Sequence, residues 1–247
     1  MKMMPFLKMP PKLPLYIIAV LIALCFFPFD LDADEVFYGP FFDAGHFGIF
    51  FLAAIALERA NLFSTRPNAV KLFAPLFCLG AAIVLVELLQ PLFGRTPSLT
   101  DIRNGFLGTL AGVLVCAAYV RGRRALICAL FSALLQLVLL NPAIAGFRAV
   151  RWRASAWPLL ADFETPEQAL LWAPIHYGNG FTEIRISSRQ AADGRSSLAI
   201  TGGGGTWRGA EYDAGERDWS KYGQLVLRAY NPHAHPLVLS LRIDDMR

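Results

Sequence analysis

Up to about residue 148 the chain reads as five long apolar runs broken by short polar connections, and beyond it as short alternating stretches. The runs cover Leu13 to Phe29, about Ala44 to Leu57, about Leu72 to Phe93, about Asn104 to Val120 and about Ala125 to Phe147. Asn141-Pro142 interrupts the last of them near its end. About 20 consecutive apolar residues in a helix cross the hydrocarbon core of a bilayer, so the pattern predicts an α-helical membrane bundle of about five transmembrane helices. The second run is short for a span, and Asp43 is placed to cap its helix, as Asp101 and Asn104 are for the fourth. After Trp157 the segments SLAIT (197–201), QLVLRAYN (224–231) and PLVLSLRID (236–244) alternate in part and are separated by Gly-, Asp- and Pro-containing turns. Such spacing predicts a β-sandwich, jelly-roll-like and incomplete. The expected divisions are a transmembrane domain over 1–150, a juxtamembrane linker over 151–160 and a β domain over 161–247.

Composition agrees with a membrane protein: 55% of residues are hydrophobic and 17% charged, which is too apolar for an average soluble domain. Lys2, Lys8 and Lys12 precede the first run in the manner of a signal peptide. That run is longer than a signal core, however, and FPFDLDADEV after it has no small-residue cleavage site, so an uncleaved first span is expected. Lys and Arg gather at the N-terminus, at Arg59, Arg66 and Lys71, and at Arg121, Arg123 and Arg124, while the loop 30–43 is acidic. The excess of cations in alternate loops predicts a cytoplasmic N-terminus and an extracytoplasmic C-terminal domain, against which Arg148, Arg151 and Arg153 stand as exceptions. The formal net charge of +4 is accounted for by this topology. With no basic stripe interleaved with aromatics, nucleic acid is not an expected partner. Cys25, Cys78, Cys116 and Cys128 all lie in apolar runs without metal-ligand spacing and read as small core residues.

Candidate chemistry concentrates between Glu87 and Gly112, where one apolar helix ends and the next begins. Glu87 and Gln90 are three apart on a helix, Arg95, Ser98 and Asp101 follow in the connection, and Asn104 opens the next helix. Under the predicted topology His46 joins them on the outer face. An ionisable group at membrane depth requires a partner or a function. For Glu87 two readings stand: binding of a polar head group or proton movement with His46 or Arg95, and a structural network that locks the helices together. Arg95 either grips a phosphate or carboxylate or bridges to Asp101. His46, Glu87 and Asp101 have the donor types of a zinc site, but no HxxxH or HExxH spacing accompanies them, and neither a metal nor a cofactor is expected. Gly108 and Gly112 repeat at a spacing of four, suited to close helix packing. All five tryptophans lie beyond the last run. Trp152 and Trp157 suit an interfacial belt, while Trp207 and Trp219 are candidates for stacking on a sugar face or for the sandwich core. GGGGT at 202–206 has no following Lys-Ser/Thr and is a turn, not a phosphate loop. There is no Ser-His-Asp set, and no specific catalytic signature.

Asp43 with His46, Glu87 with Gln90, Gly94-Arg95, Asp101, Asn104 and the glycines 108 and 112 together resemble the VanZ-like family of small membrane proteins, over residues 43 to 120. The family often has Lys after the aspartate, where this chain has Ala44. The resemblance implies a bacterial cell (inner) membrane and no defined reaction. In the C-terminal region the order DFE, DGRSSLAI, GTWRGAEYD, DWSKYGQLVLRAYNP and a strand ending in Asp244-Asp245 resembles galactose-binding-like jelly rolls of carbohydrate-binding modules. It has fewer strands than a whole sandwich, so a truncated chain, or a domain completed by another copy, is expected. The expected function is an envelope membrane protein whose cluster of His46, Glu87, Gln90, Arg95, Asp101 and Asn104 engages an anionic lipid-linked or cell-wall glycan head group. The alternatives are a membrane hydrolase or transferase using Glu87 and His46, and a scaffold with no ligand at the cluster.

Overall fold

A computed structural model describes residues 12–26, 35–60, 62–63, 67–119, 124–177, 179–204, 207–212 and 218–243. Lys2, Lys8, Arg66, Arg121, Arg123, Asp244, Asp245, residues 30–34 of the acidic loop, 205–206 of the glycine run and the Trp207 side chain lie outside the described residues. The chain divides into two compact units, residues 1–147 and 148–247.

The first unit is helical: α1 (Leu13–Leu24), α2 (Glu35–Arg59), α3 (Asn68–Leu89) with a 3-10 turn at Gln90–Phe93, α4 (Leu99–Tyr119) and α5 (Arg124–Ala156), whose last turns belong to the second unit. Among the described residues four helices, α2 to α5, are long and apolar enough to cross a membrane, whereas α1 has 12 residues. Three boundaries differ from expectation. The second helix begins at Glu35, not at Ala44, because FYGPFF is helical through Gly39 and Pro40. Asp43 is therefore an interior residue and caps nothing. The fourth begins at Leu99, with Ser98 in the capping position: its Oγ accepts the Asp101 N–H at 3.3 Å. That arrangement leaves the Asp101 carboxylate and the Asn104 amide available for contacts with other helices. The fifth continues through Asn141-Pro142 to Ala156, since one missing hydrogen bond does not end a long helix whose neighbouring turns remain bonded.

Small residues set the helix spacing. A Cβ on Gly108 would fall inside van der Waals contact of the Phe47 carbonyl oxygen, and one on Gly112 would lie 2.7 Å from Phe51 O and from the Ala54 Cβ. Thus α4 meets α2 backbone to backbone. Gly146 of α5 lies against the Val36 carbonyl oxygen in the same way. That oxygen is the one whose i+4 donor would be residue 40, a proline without an N–H. Two apolar clusters fill the unit. Ala53, Ala54, Leu57, Leu79 and Val113 form one, and Cys25, Phe50, Ile83 and Val86, with Ile102 against them, form the other. All four cysteines are free. Outward positions of α5 such as Leu126, Phe131 and Leu134 are exposed and apolar, as a lipid-facing surface requires.

Among the described residues of the second unit, four strands form two antiparallel two-stranded sheets, β1 (Trp172–Tyr177) with β4 (Trp207–Tyr212) and β2 (Phe181–Ser187) with β3 (Ser197–Gly203). The expected strand at 197–201 lies within β3. By contrast, 224–231 and 236–243 make no strand pairing among the described residues, and Val226, Leu227, Val238 and Leu241 are exposed. Strand-like side chains do not hold an extended segment without a neighbour to complete its hydrogen bonds. The DFE segment is a knot of polar bonds. Gln168 Oε1 accepts the N–H groups of Asp162 and Phe163, at 3.1 and 2.8 Å, and its Nε2 donates to Asp162 Oδ1. Glu164 accepts the N–H groups of Arg195 and Ser196, at 2.7 and 3.0 Å.

Candidate functional site

The site lies where α2 passes the end of α3 and the start of α4. On α3 and at the start of the 3-10 turn that follows it, Gly80, Ile83, Glu87 and Gln90 follow one stripe, and all are buried. On α4 the buried stripe is Asp101, Asn104, Gly105, Gly108 and Gly112. The glycines of this stripe bring α2 close enough for His46 to reach both neighbours. His46 Nδ1 lies 3.3 Å from Asp101 Oδ1, and His46 Nε2 lies 3.8 Å from Glu87 Oε1. His46, Glu87, Asp101, Asn104 and Gln90 are each at most 3% exposed.

His46, Glu87 and Asn104 are each oriented by a hydrogen bond to a group outside the cluster. His46 Nδ1 is 3.0 Å from the Phe42 carbonyl oxygen, which makes Nδ1 the protonated nitrogen and leaves the Nε2 lone pair facing Glu87. Glu87 Oε2 accepts the Ser98 N–H at 2.8 Å, leaving Oε1 toward His46. Asp101 lies beside the half-buried Asp43 carboxyl. Asn104 donates to the Asp43 backbone carbonyl at 2.8 Å and accepts from Arg103 Nε at 3.2 Å, so it ties α4 to α2 around the cluster. Gln90, wholly buried, approaches Glu87, but neither of its amide atoms meets hydrogen-bond geometry.

Arg95 is half-buried in the connection after Gly94, whose φ of 75° makes the turn that glycine favours. It donates to the Cys25 carbonyl at 2.9 Å. The anticipated ion pair with Asp101 is not among the ion pairs of the described residues, although Arg95 is near enough to act electrostatically on both Asp101 and Glu87. All six residues singled out in the sequence thus contribute to one region. Two roles differ from those expected from sequence, the Asp43 carboxyl beside Asp101 and the Ser98 N–H on Glu87, and one contributor was missed: Gln136 of α5, which donates to the Ala44 carbonyl at 3.2 Å. A lone glutamine inside an apolar run was the available signal for Gln136.

Five buried atoms of the cluster lack a hydrogen-bond partner: His46 Nε2, Glu87 Oε1, Asp101 Oδ1, and Nε2 and Oε1 of Gln90. Chemically the arrangement offers an imidazole nitrogen and two carboxyl oxygens close together, with the Arg95 guanidinium at the rim. In the second unit, Trp219 packs edge-on to Trp157 with ring centroids 4.8 Å apart and stays 38% exposed, leaving a ring surface for a ligand. Comparison with protein-family models, with curated proteins and with solved structures gives no match for this chain.

Proposed function

We propose that this chain is a multi-pass protein of a bacterial cell membrane, VanZ-like in its helical unit, whose polar cluster engages the anionic head group of a lipid-linked or cell-wall glycan. In this reading α1 and its flanking apolar residues supply the first of about five spans. The N-terminus is cytoplasmic, and the region after residue 148 is extracytoplasmic and glycan-binding. The observation that carries the proposal is the set of buried, unbonded atoms on His46, Glu87, Asp101 and Gln90. A network that serves only to lock helices together matches its donors and acceptors. Here the outer atoms are matched and the inner ones are open, beside an arginine suited to a phosphate or carboxylate.

A second reading, a hydrolase or transferase, is favoured by the geometry: the Nδ1 bond to Phe42 turns His46 Nε2 toward a carboxyl oxygen 3.8 Å away, the pairing of groups that acid–base chemistry uses. It predicts that Glu87→Gln abolishes turnover of a lipid-linked glycan in a protein that still folds.

Thermal stability of the detergent-purified chain, beside Glu87→Gln and Arg95→Ala, tests the main proposal against a panel of envelope lipids and glycans. A phosphorylated or glycosylated lipid is expected to raise the melting temperature of the wild type alone. If no lipid shifts the wild type, or all three proteins respond alike, the cluster is no head-group site.

A further inference from the structure

We infer that His46, Glu87 and Asp101 form a binding site for a single divalent first-row metal ion, zinc or manganese. One ligand atom from each residue lies within 4.8 Å of those of the other two. A four-coordinate zinc ion with ligands at about 2.0–2.2 Å holds neighbouring ligand atoms about 3.4 Å apart, so the His46 Nε2–Glu87 Oε1 pair at 3.8 Å is near that spacing, and the widest pair of the set has to close by up to about 1.4 Å. Imidazole with two carboxylates is a donor set that zinc and manganese accept.

Three independent features support an ion in place of a self-sufficient network. The first is orientation. A ligating histidine donates its second nitrogen to a carbonyl or carboxylate, and ligating carboxylates are held by bonds on their other oxygen. His46 Nδ1 has the Phe42 carbonyl, Glu87 Oε2 has the Ser98 N–H, and Asp101 has Asp43 beside it. The second is the set of unbonded atoms: His46 Nε2 and Glu87 Oε1, 3.8 Å apart, and Asp101 Oδ1, 3.3 Å from the Nδ1 edge of the same ring, all on side chains at least 97% buried, are without hydrogen bonds. The third is charge. Asp43, Glu87 and Asp101 bring three carboxyl groups together, with Arg95 the cation that acts on both Glu87 and Asp101. Buried carboxylate charge is unfavourable unless neutralised, and one divalent ion does so.

The site follows from these side chains alone; what the ion is for rests on the reading of the previous subsection. With three protein ligands a zinc ion keeps an open position. A phosphate oxygen of the head group would complete it, and Arg95 would contact the same group. An acidic cluster would in this way accept an anion.

The test uses the full chain in detergent with His233→Ala and His235→Ala, because those two exposed rings stack 5.2 Å apart and offer donors of their own. After treatment with a chelator, zinc, manganese or cobalt is added alone. Uptake of one ion per chain is expected, with intense visible absorption for cobalt in a low-symmetry nitrogen and oxygen site, and a raised melting temperature. Asp101→Asn and His46→Ala should abolish uptake, and Asp43→Asn, acting on Asp101 from outside, should weaken it by about 10- to 100-fold. If the folded parent takes up no ion, the inference is overturned whatever the variants do. It is equally overturned if Asp101→Asn, folded by circular dichroism, binds as tightly as the parent. Ion uptake without any lipid response would remove the head-group reading and leave the metal site. A lipid response undiminished by chelator would overturn the ion's part in head-group binding and leave the head-group reading.

Discussion

The backbone N–H of Ser98 donates to Glu87 Oε2 across 2.8 Å, so the residue that caps α4 also fixes the carboxylate that ends α3. Glu87→Gln preserves an oxygen for that bond and Glu87→Ala does not. A lost hydrogen bond that strands a buried donor costs about 1–3 kcal/mol. In detergent melts, Glu87→Ala is therefore expected to be the less stable of the two by about that amount. Equal melting temperatures would mean that the bond contributes nothing.

Ser98 can be separated from Glu87 through its side chain. Ser98→Ala removes the hydroxyl that accepts the Asp101 N–H and keeps the N–H that serves Glu87. Loss of such a cap costs about 1 kcal/mol, and Ser98→Asn restores most of it. Melting curves of the two variants check this, and the expected order is wild type, Ser98→Asn, Ser98→Ala.

The glycines of the bundle should divide sharply. A methyl group at Gly108 enters the space of the Phe47 carbonyl, whereas a methyl group at Gly45 meets nothing within 4 Å. Gly108→Ala is expected to destabilise by about 1–3 kcal/mol, as overpacking does. Gly45→Ala should be neutral or stabilising by about 0.5–1 kcal/mol through helix propensity. Reversal of this order in thermal or denaturant unfolding would refute the close α2–α4 approach.

In the second unit, the Glu164 carboxyl is held below the ordinary glutamate range, first by the Arg195 N–H and then by the Ser196 N–H. Because the folded value is the lower one, its contribution is complete above the unfolded value of about 4.3. It is lost as pH falls through the depressed value. Hydrogen exchange of the Arg195 and Ser196 amides should stay protected at pH 5 and lose protection in more acid solution, relative to neighbouring amides. In Glu164→Gln the pH-dependent part of that protection should vanish.

Much of the site was legible because burying a charge in an apolar helix leaves few options. Glu87 and Gln90, three apart in a hydrophobic run, must share a face, and that face must turn inward. Boundaries were harder to read. Gly39-Pro40 and Asn141-Pro142 look like breaks, yet both lie inside helices where neighbouring turns and a packed partner outweigh one absent bond. Asp43 and Asp101 have the chemistry of caps, and nothing local in the sequence says that the helices begin 8 residues and 2 residues before them. In β2 the alternation of FTEIRIS was a period-two signal that went unused, and the structure shows it as alternating exposure. The opposite error befell 224–231 and 236–243, whose composition favours strands but whose pairing depends on a neighbour that local sequence does not specify.

Pro40 deprives the Val36 carbonyl of its helical donor, and Gly146 is the point of α5 that lies on that oxygen. In a membrane this match acts as an index mark. Were α5 to slide along α2 by one turn, a residue with a Cβ, such as Ala143 or Pro142, would replace Gly146 over a polar atom that hydrocarbon cannot satisfy. A flat apolar helix would otherwise tolerate many longitudinal positions with similar energy. The proline thus selects one of them, and with it the height at which Gln136 meets the Ala44 carbonyl beside Asp43.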